Sequence, residues 1–379
     1  MGKIKDKGNY MPRQPIPTKK PEPKTLALGV HAPYNRTKNI DSYFQEFLNL
    51  IKTNDIQADQ ILFIRLREID PATFITKGKI EEILSVCKKH DIQRIIISEQ
   101  LSGVQERNLH YTLECEIIDR TRLILEIFQR TALSTEGKKQ VEIALFKFRK
   151  TRLAGKGIAM AQQAGMIGGR GPGERMKELE ARHIEESMLK LKEQLKKIQQ
   201  TRATQRKRRL ETQVPQICLI GYTNAGKSTI LNTLTRAGVL VADKPFATLD
   251  TTTKELFINR EKMGIISDTV GFIQNLPHQL IDAFKATLEE LQYAHLLLQV
   301  IDISDPNWES HIQVVHEILE DLEVDKPMLY VFNKIDKAIN LEQNISALDK
   351  YQPHVLVSAL SRSQLQPLTD FLQTWKPEN

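Results

Sequence analysis

Cysteine is scarce in this chain: Cys87, Cys115 and Cys218 are the only three in 379 residues, odd in number and far apart. That argues against a disulfide scaffold and a clustered-cysteine zinc site, and it suits a reducing compartment, the cytoplasm. Long hydrophobic runs are also missing. No stretch reaches the roughly 18 apolar residues that suggest a membrane-spanning helix, and the N-terminus has no apolar signal core. The end of the chain, from Trp375 to Asn379, carries no prenylation cysteine, so no lipid anchor is expected there. What remains is the composition of an ordinary globular protein, 40% hydrophobic and 27% charged. Its length calls for two or three domains.

Charge is distributed unevenly. Residues 1–24 carry seven Lys/Arg against two acids, or +5, and residues 135–211 carry twenty against nine, or +11. The stretches 25–134 (fourteen against fifteen, −1) and 212–379 (thirteen against twenty-one, −8) are acidic. Positive charge concentrated in a tail and a middle segment is the footprint of a protein that meets RNA phosphates there, although a solvated basic face would look the same. The tail also holds Pro12, Pro15, Pro17, Pro21 and Pro23, with little to bury, and is expected to be disordered.

The acidic C-terminal part contains Gly221-Tyr222-Thr223-Asn224-Ala225-Gly226-Lys227-Ser228-Thr229, between the apolar strand Ile217 to Ile220 and a helix starting near Thr229. Small residues let the main chain curl its N–H groups around a phosphate at a helix N-terminus. Lys227 would bring charge to the β- and γ-phosphates, and the Ser228 hydroxyl would ligate Mg²⁺. A glycine turn that merely precedes a helix does not account for strand and helix together.

Farther along, Asn333-Lys334-Ile335-Asp336 follows the apolar strand Met328 to Phe332. The Asp336 carboxylate can accept from both N1–H and the 2-amino group of guanine. Adenine offers no such pair, and leaving a buried acceptor unpaired costs about 1–3 kcal/mol. Asn333 is expected to brace the loop and touch the base, with the Lys334 stem over its face. After the strand His354 to Val357, the backbone at Ser358-Ala359 can meet guanine O6.

Two further segments complete the constellation. Asp268-Thr269-Val270-Gly271 follows the strand Met263 to Ser267; its aspartate can hold Mg²⁺ through water, and the Gly271 N–H can reach the γ-phosphate. Phe246-Ala247-Thr248-Leu249-Asp250 lies before the strand Lys254 to Ile258, where a threonine hydroxyl can close the Mg²⁺ shell. On spacing alone, Thr251, Thr252 and Thr253 rival Thr248. Phe272 follows Gly271, where many GTPases carry the glutamine that orients the attacking water. Phenylalanine cannot do so; slow intrinsic turnover is expected, with Phe272 packing under the switch.

The strand and helix order from Pro215 onward resembles a Ras-like P-loop GTPase domain, an α/β fold with a mostly parallel sheet, one antiparallel edge and a final helix from Gln364 to Trp375. Before it, residues 25–134 read as a smaller α/β domain with strands at Ile61–Leu66, Arg94–Ser98 and Cys115–Asp119 and helices at Gly78–Lys89 and Gln105–Leu113. The basic segment 135–211 reads as a helical hairpin. Val141, Leu145 and Phe148 lie on its first helix; Ala181, Ile184, Met188, Leu191, Leu195 and Ile198 form a heptad stripe on its second. The connection, Gly155 to Gly173, holds seven glycines and Arg170 and is read as an adaptable basic probe for RNA, with an unstructured linker between domains as the other reading. Arg202, Arg206, Lys207, Arg208 and Arg209 add a second basic cluster.

Across both domains the chain resembles the HflX family of ribosome-associated GTPases. The resemblance rests on the phosphate loop from Gly221, on Phe246 to Asp250, Asp268 to Phe272, Gln105-Glu106-Arg107-Asn108-Leu109, Ile118-Asp119-Arg120-Thr121, and Gly169-Arg170-Gly171-Pro172-Gly173-Glu174. It implies GTP binding and Mg²⁺-dependent hydrolysis to GDP, with Thr248 beside Ser228 as the metal-side threonine and Lys227, Thr248 and Gly271 carrying the chemistry. It further implies a cytoplasmic monomer associated with the large ribosomal subunit and its rRNA, splitting or rescuing stalled ribosomes under stress, and in some members ATP binding by the N-terminal region. Two positions depart from the family pattern: Arg175-Met176-Lys177 follow Glu174, and Thr251 rather than proline follows Asp250. The first bears on any function of the glycine-rich loop. A second class of function stays open, an RNA-binding assembly factor that uses GTP as an attachment switch.

Overall fold

Among the described residues, ten strands separate into two sheets, each built around short β-branched and leucine-rich runs buried on both faces. The computed structural model describes residues 22–35, 37, 39–153, 172–211, 214–235, 238, 244–246, 248–274, 288, 290–338 and 346–377, with backbone alone for 172–175, 177 and 202–211. The N-terminal tail up to 21, most of the glycine-rich connection (154–171) and Ala247 lie outside the described residues.

The first sheet has four parallel strands in the order β2-β1-β3-β4: β1 Thr25–His31, β2 Gln60–Arg65, β3 Arg94–Ile97 and β4 Glu116–Ile118. Parallel pairing demands crossovers, here α1 Ile40–Thr53, α2 Lys77–His90 and α3 Gly103–Leu113. Their starts are legible in the side chains. Asn39 accepts from Ser42 N, and Ser102 and Gln105 form a reciprocal capping box. Alternate strand residues serve opposite cores: Leu26, Leu28, Ile95 and Ile97 face one, while Ala27 and Ile96 face Phe47, Leu50 and Ile51 of α1 in the other. Of these strands, β1 was not among the sequence candidates. It is central, and Gly29 within it permits close packing, since a Cβ there would meet the Phe63 ring at 2.3 Å.

Helix α4, Arg120–Thr131, leads to the middle region, where α5 (Thr135–Leu153) packs along the 40-residue α6 (Pro172–Glu211). Lys139 Nζ reaches Gln194 Oε1 and Lys150 Nζ reaches Glu185 Oε1, so the two helices run antiparallel. The heptad positions of α6 are its least exposed, with Ile184 buried.

The second sheet has the order β10-β9-β8-β5-β7-β6: β5 Gln216–Gly221, β6 Thr252–Ile258, β7 Glu261–Asp268, β8 Leu296–Asp302, β9 Met328–Asn333 and β10 His354–Leu356. Among the described residues of this sheet only the β6–β7 hairpin is antiparallel. Helices α7 (Lys227–Thr235), α8 (Trp308–Asp321) and α9 (Gln366–Thr374) accompany it. One apolar cluster runs continuously from Phe47 and Phe128 through Ala132 and Val141 to Cys218, Tyr222, Phe246 and Leu249, joining this sheet to the other parts. Among the described residues no helix is long and apolar enough to cross a membrane.

Candidate nucleotide-binding site

A cleft of about 310 Å³ opens at the carboxyl ends of β5, β7 and β9, where ligand loops of a parallel α/β sheet are expected. Its walls include Thr223, Asn224, Gly226, Lys227, Ser228, Phe246, Thr248, Thr269, Gly271, Asn333, Lys334, Asp336, Ser358 and Ala359, all from segments singled out in the sequence. Thr229, the last residue of the phosphate-loop motif, lines it too, and so do Lys244, Lys337 and Leu360, which were not foreseen.

The loop from Gly221 needs its glycines. Gly221 and Gly226 have φ of +143° and +100°, and a Cβ on Gly221 would sit 2.2 Å from Val300 O. Lys227 is buried, and its ammonium donates to Gly221 O at 3.1 Å and Tyr222 O at 2.7 Å. Burial pulls its pKa down to about 8, with Asp268 opposing and Lys334 adding to the shift. A buried ammonium so placed can attract a further anion, such as a phosphate, into the cleft. Gly271 stands close by, where a Cβ would meet Lys227 Nζ at 3.0 Å and Thr223 Cα at 2.8 Å.

Three oxygens gather beside Lys227. Ser228 Oγ donates to Asp268 Oδ2 at 2.5 Å and lies 2.8 Å from Thr248 Oγ1. Thr252 and Thr253 belong to β6, and Thr253 Oγ1 is spent on Ser267 Oγ at 2.8 Å. Asp268 is fully buried, and burial raises its pKa despite Lys227. Its Oδ1 has no hydrogen-bond partner among the described residues. An all-oxygen set with an orphaned buried carboxylate oxygen fits a hard cation such as Mg²⁺.

On the other side, Asn333 is a brace. Its Nδ2 donates to Ala225 O at 2.9 Å and its Oδ1 accepts from Ala359 N at 3.0 Å, tying the phosphate loop to the 358–359 turn. Lys334 pairs with Asp302 at 2.6 Å, and Asp336 Oδ1 accepts from Ser358 Oγ at 2.5 Å. The Asp336 carboxylate is thereby oriented at the cleft wall.

Several residues of these segments face elsewhere. Ala225, Val270 and Val357 are buried in the apolar cores, and Ile335 packs against a further cluster. Leu249 is likewise buried, and Asp250, expected near the nucleotide, instead accepts from the backbone of Leu133 and Ser134. Tyr222 turns its ring away from the cleft. Its hydroxyl donates to Glu46 Oε2 and accepts from Gln274 N at 2.7 Å, and the ring stacks on His311 at 3.8 Å. Burial and the Glu46 charge raise the Tyr222 pKa well above normal, so it stays protonated. The buried Arg120 donates to Glu46 Oε1 at 2.5 Å and to Gln274 O at 3.1 Å. The Phe272 side chain is buried, while its backbone bonds Gly221 O and Thr223 N.

Three family models match in sequence: a GTP-binding GTPase N-terminal region over 41–129, a GTP-binding GTPase middle region over 131–209 and a 50S ribosome-binding GTPase over 216–334. GTPase HflX of Caldanaerobacter subterraneus subsp. tengcongensis is 42% identical over 329 residues, covering 84% of this chain and 77% of that protein. GTPase HflX of Escherichia coli K12 is 38% identical, with 86% and 77% covered. A crystal structure of a complex of SsGBP and GDP aligns with 92% of this chain and 97% of its own, at 26% identity and a TM-score of 0.50. With identities of this order over most of both chains, and with all three regions matched in the same order, the chain belongs to the HflX family of GTPases.

Proposed function

We propose that this protein binds GTP with Mg²⁺, hydrolyses it to GDP and phosphate, and does so on the large ribosomal subunit in the cytoplasm, where it splits or rescues stalled ribosomes. The carrying observation is that Lys227, Ser228, Thr248 and Asp268 meet on one cleft whose far wall holds Asp336 and the Asn333 brace. In this reading the backbone N–H groups of the loop cradle the phosphates, and Lys227 holds charge against the β- and γ-oxygens. Ser228 and Thr248 would hold the metal, Asp268 would orient it through water, and the Gly271 N–H would meet the γ-phosphate. When bound, Mg²⁺ neutralises charge that develops on the phosphates. Asp336 selects guanine.

The buried Phe272 supports a low intrinsic rate that a partner raises. The ribosomal part of the proposal is supported by the match of 216–334 to a 50S ribosome-binding GTPase model and by the +11 charge of residues 135–211 (twenty Lys/Arg against nine acids). The test is GTP hydrolysis by the purified chain alone, with large subunits and with whole ribosomes, using Lys227→Ala as the inactive control. Strong ribosomal stimulation with separation of subunits is expected. GTP binding without stimulation, together with binding to immature subunits or free RNA alone, would favour an assembly factor.

A further inference from the structure

The segment around Thr248 addresses two parts of the molecule at once. Thr248 turns toward the phosphate loop, with its Oγ1 2.8 Å from Ser228 Oγ. Phe246, Leu249 and Asp250 turn the other way. The Phe246 ring stands edge-on to Phe128 at the end of α4, centroids 4.6 Å apart, and its backbone has a left-handed φ of +57° that its packing must hold. Leu249 is buried in the cluster that contains Phe128, Ala132 and Val141. Asp250 Oδ2 accepts from Leu133 N at 2.8 Å and Ser134 N at 2.7 Å, and Oδ1 accepts from Ser134 Oγ.

Asp250 therefore gives its carboxylate to Leu133 and Ser134, the two residues just before α5, where the helix dipole favours negative charge. Ser134 Oγ accepts in turn from Gly137 N at 2.9 Å. Gly137 makes the approach possible, because a Cβ there would lie 2.4 Å from Asp250 Oδ1. At its other end α5 is also fastened, with Arg152 donating to Asp119 Oδ2 and Leu101 O, both at 2.6 Å. A helix held at both ends gives the switch segment a firm support outside the cleft.

We infer that Asp250 is a positioning residue for Thr248: docked on the start of α5, it holds the metal-side hydroxyl over Ser228 and couples the helical middle region to the presence of a nucleoside triphosphate. The inference rests on the GTPase reading above. A triphosphate engages the switch threonine through its γ-phosphate and metal, whereas a diphosphate releases it. Linkage makes the coupling reciprocal: whatever draws α5 away from Asp250 weakens triphosphate binding, and a bound triphosphate tightens the α5 contact by the same factor.

The experiment uses the full chain as wild type, Asp250→Ala, Asp250→Asn, Ser134→Ala and the Asp250→Ala/Ser134→Ala double variant. Affinities for GDP and a non-hydrolysable GTP analogue are measured with Mg²⁺, beside GTP turnover and melting temperature. Asp250→Ala is expected to weaken the analogue about tenfold relative to GDP, with slower turnover. Ser134→Ala should move the same ratio in the same direction by about threefold, with the double variant less than additive because the two residues share a contact. Asp250→Asn, which keeps an acceptor for the amides, should recover part of the loss. An unchanged ratio in both single variants, even with a lower melting temperature, would reduce Asp250 to a helix cap and overturn the inference. If Asp250→Ala does not fold, the ratio in Ser134→Ala decides alone. Failure of the wild type to bind guanine nucleotide would overturn the GTPase reading instead.

Discussion

A Cβ placed on Gly226 would lie 2.2 Å from the amide nitrogen of Asn333, because that side chain crosses the phosphate loop to reach Ala225 O. The phosphate loop and the base loop are thus in van der Waals contact through one asparagine, and the second glycine of the loop is fixed by a residue 107 positions later as well as by its own φ of +100°.

Gly226→Ala should therefore disturb both halves of the cleft. Strain at such a backbone position costs about 1–3 kcal/mol, equivalent to roughly 5- to 150-fold in affinity. Calorimetric titration with GDP is expected to show a loss in that range. Wild-type affinity in a folded Gly226→Ala protein would mean that Asn333 swings aside without consequence.

Asp336→Asn tests base recognition. The carboxylate accepts from Ser358 Oγ at 2.5 Å and is expected to take both donors of the guanine edge. An amide replaces one acceptor by a donor, so GTP should weaken by about 1–3 kcal/mol, while xanthosine triphosphate, with a carbonyl in place of the 2-amino group, should gain. Competition against labelled GDP reads both. Equal loss of GTP and xanthosine triphosphate would place Asp336 outside base contact.

These two residues were legible in the sequence because each sits in a short segment between an apolar strand and its following helix or turn. Side-chain direction was not. Tyr222 and Asp250 lie inside contiguous motifs and were read as nucleotide contacts, yet their partners, Glu46 and Ser134, are 176 and 116 positions away. Nothing local distinguishes a motif residue facing phosphate from its neighbour facing another domain. Fold class emerged from the alternation of apolar runs, whereas β1, with Gly29 at its centre and a proline-rich tail before it, carried a weak strand signal. Its position between β2 and β3 depends on long-range pairing that periodicity does not encode.

The junction between the first sheet and the nucleotide domain depends on Arg120, which is 1% exposed and reaches Glu46 Oε1 and Gln274 O. Its ring partner is Tyr43, with the guanidinium carbon 5.5 Å from the ring centroid. Removing one member of a buried ion pair leaves the other charge unpaired and costs about 3–5 kcal/mol. Arg120→Ala should lose stability of that size in urea unfolding. Glu46→Gln, which keeps a hydrogen-bond acceptor, should lose less. Equal, small losses in both would mean that water takes over the contacts at this junction.

His311 gives the same junction a dependence on pH. Its ring is stacked on Tyr222 at 10° between planes, and burial lowers its pKa from the ordinary 6.5 while Asp305, Glu46 and Asp302 pull the other way. The folded chain therefore binds this proton more weakly than the unfolded chain does. The stability is fully present above about pH 6.5 and is lost as pH falls through that value toward the lower folded pKa, with a slope of at most about 1.4 kcal/mol per pH unit for one proton. His311→Phe keeps a ring against Tyr222 and removes the titration. Melting temperatures from pH 8 to 5.5 should fall less steeply for His311→Phe than for the wild type. Parallel curves would show that other groups account for the acid sensitivity and that His311 takes up its proton without disturbing the stack.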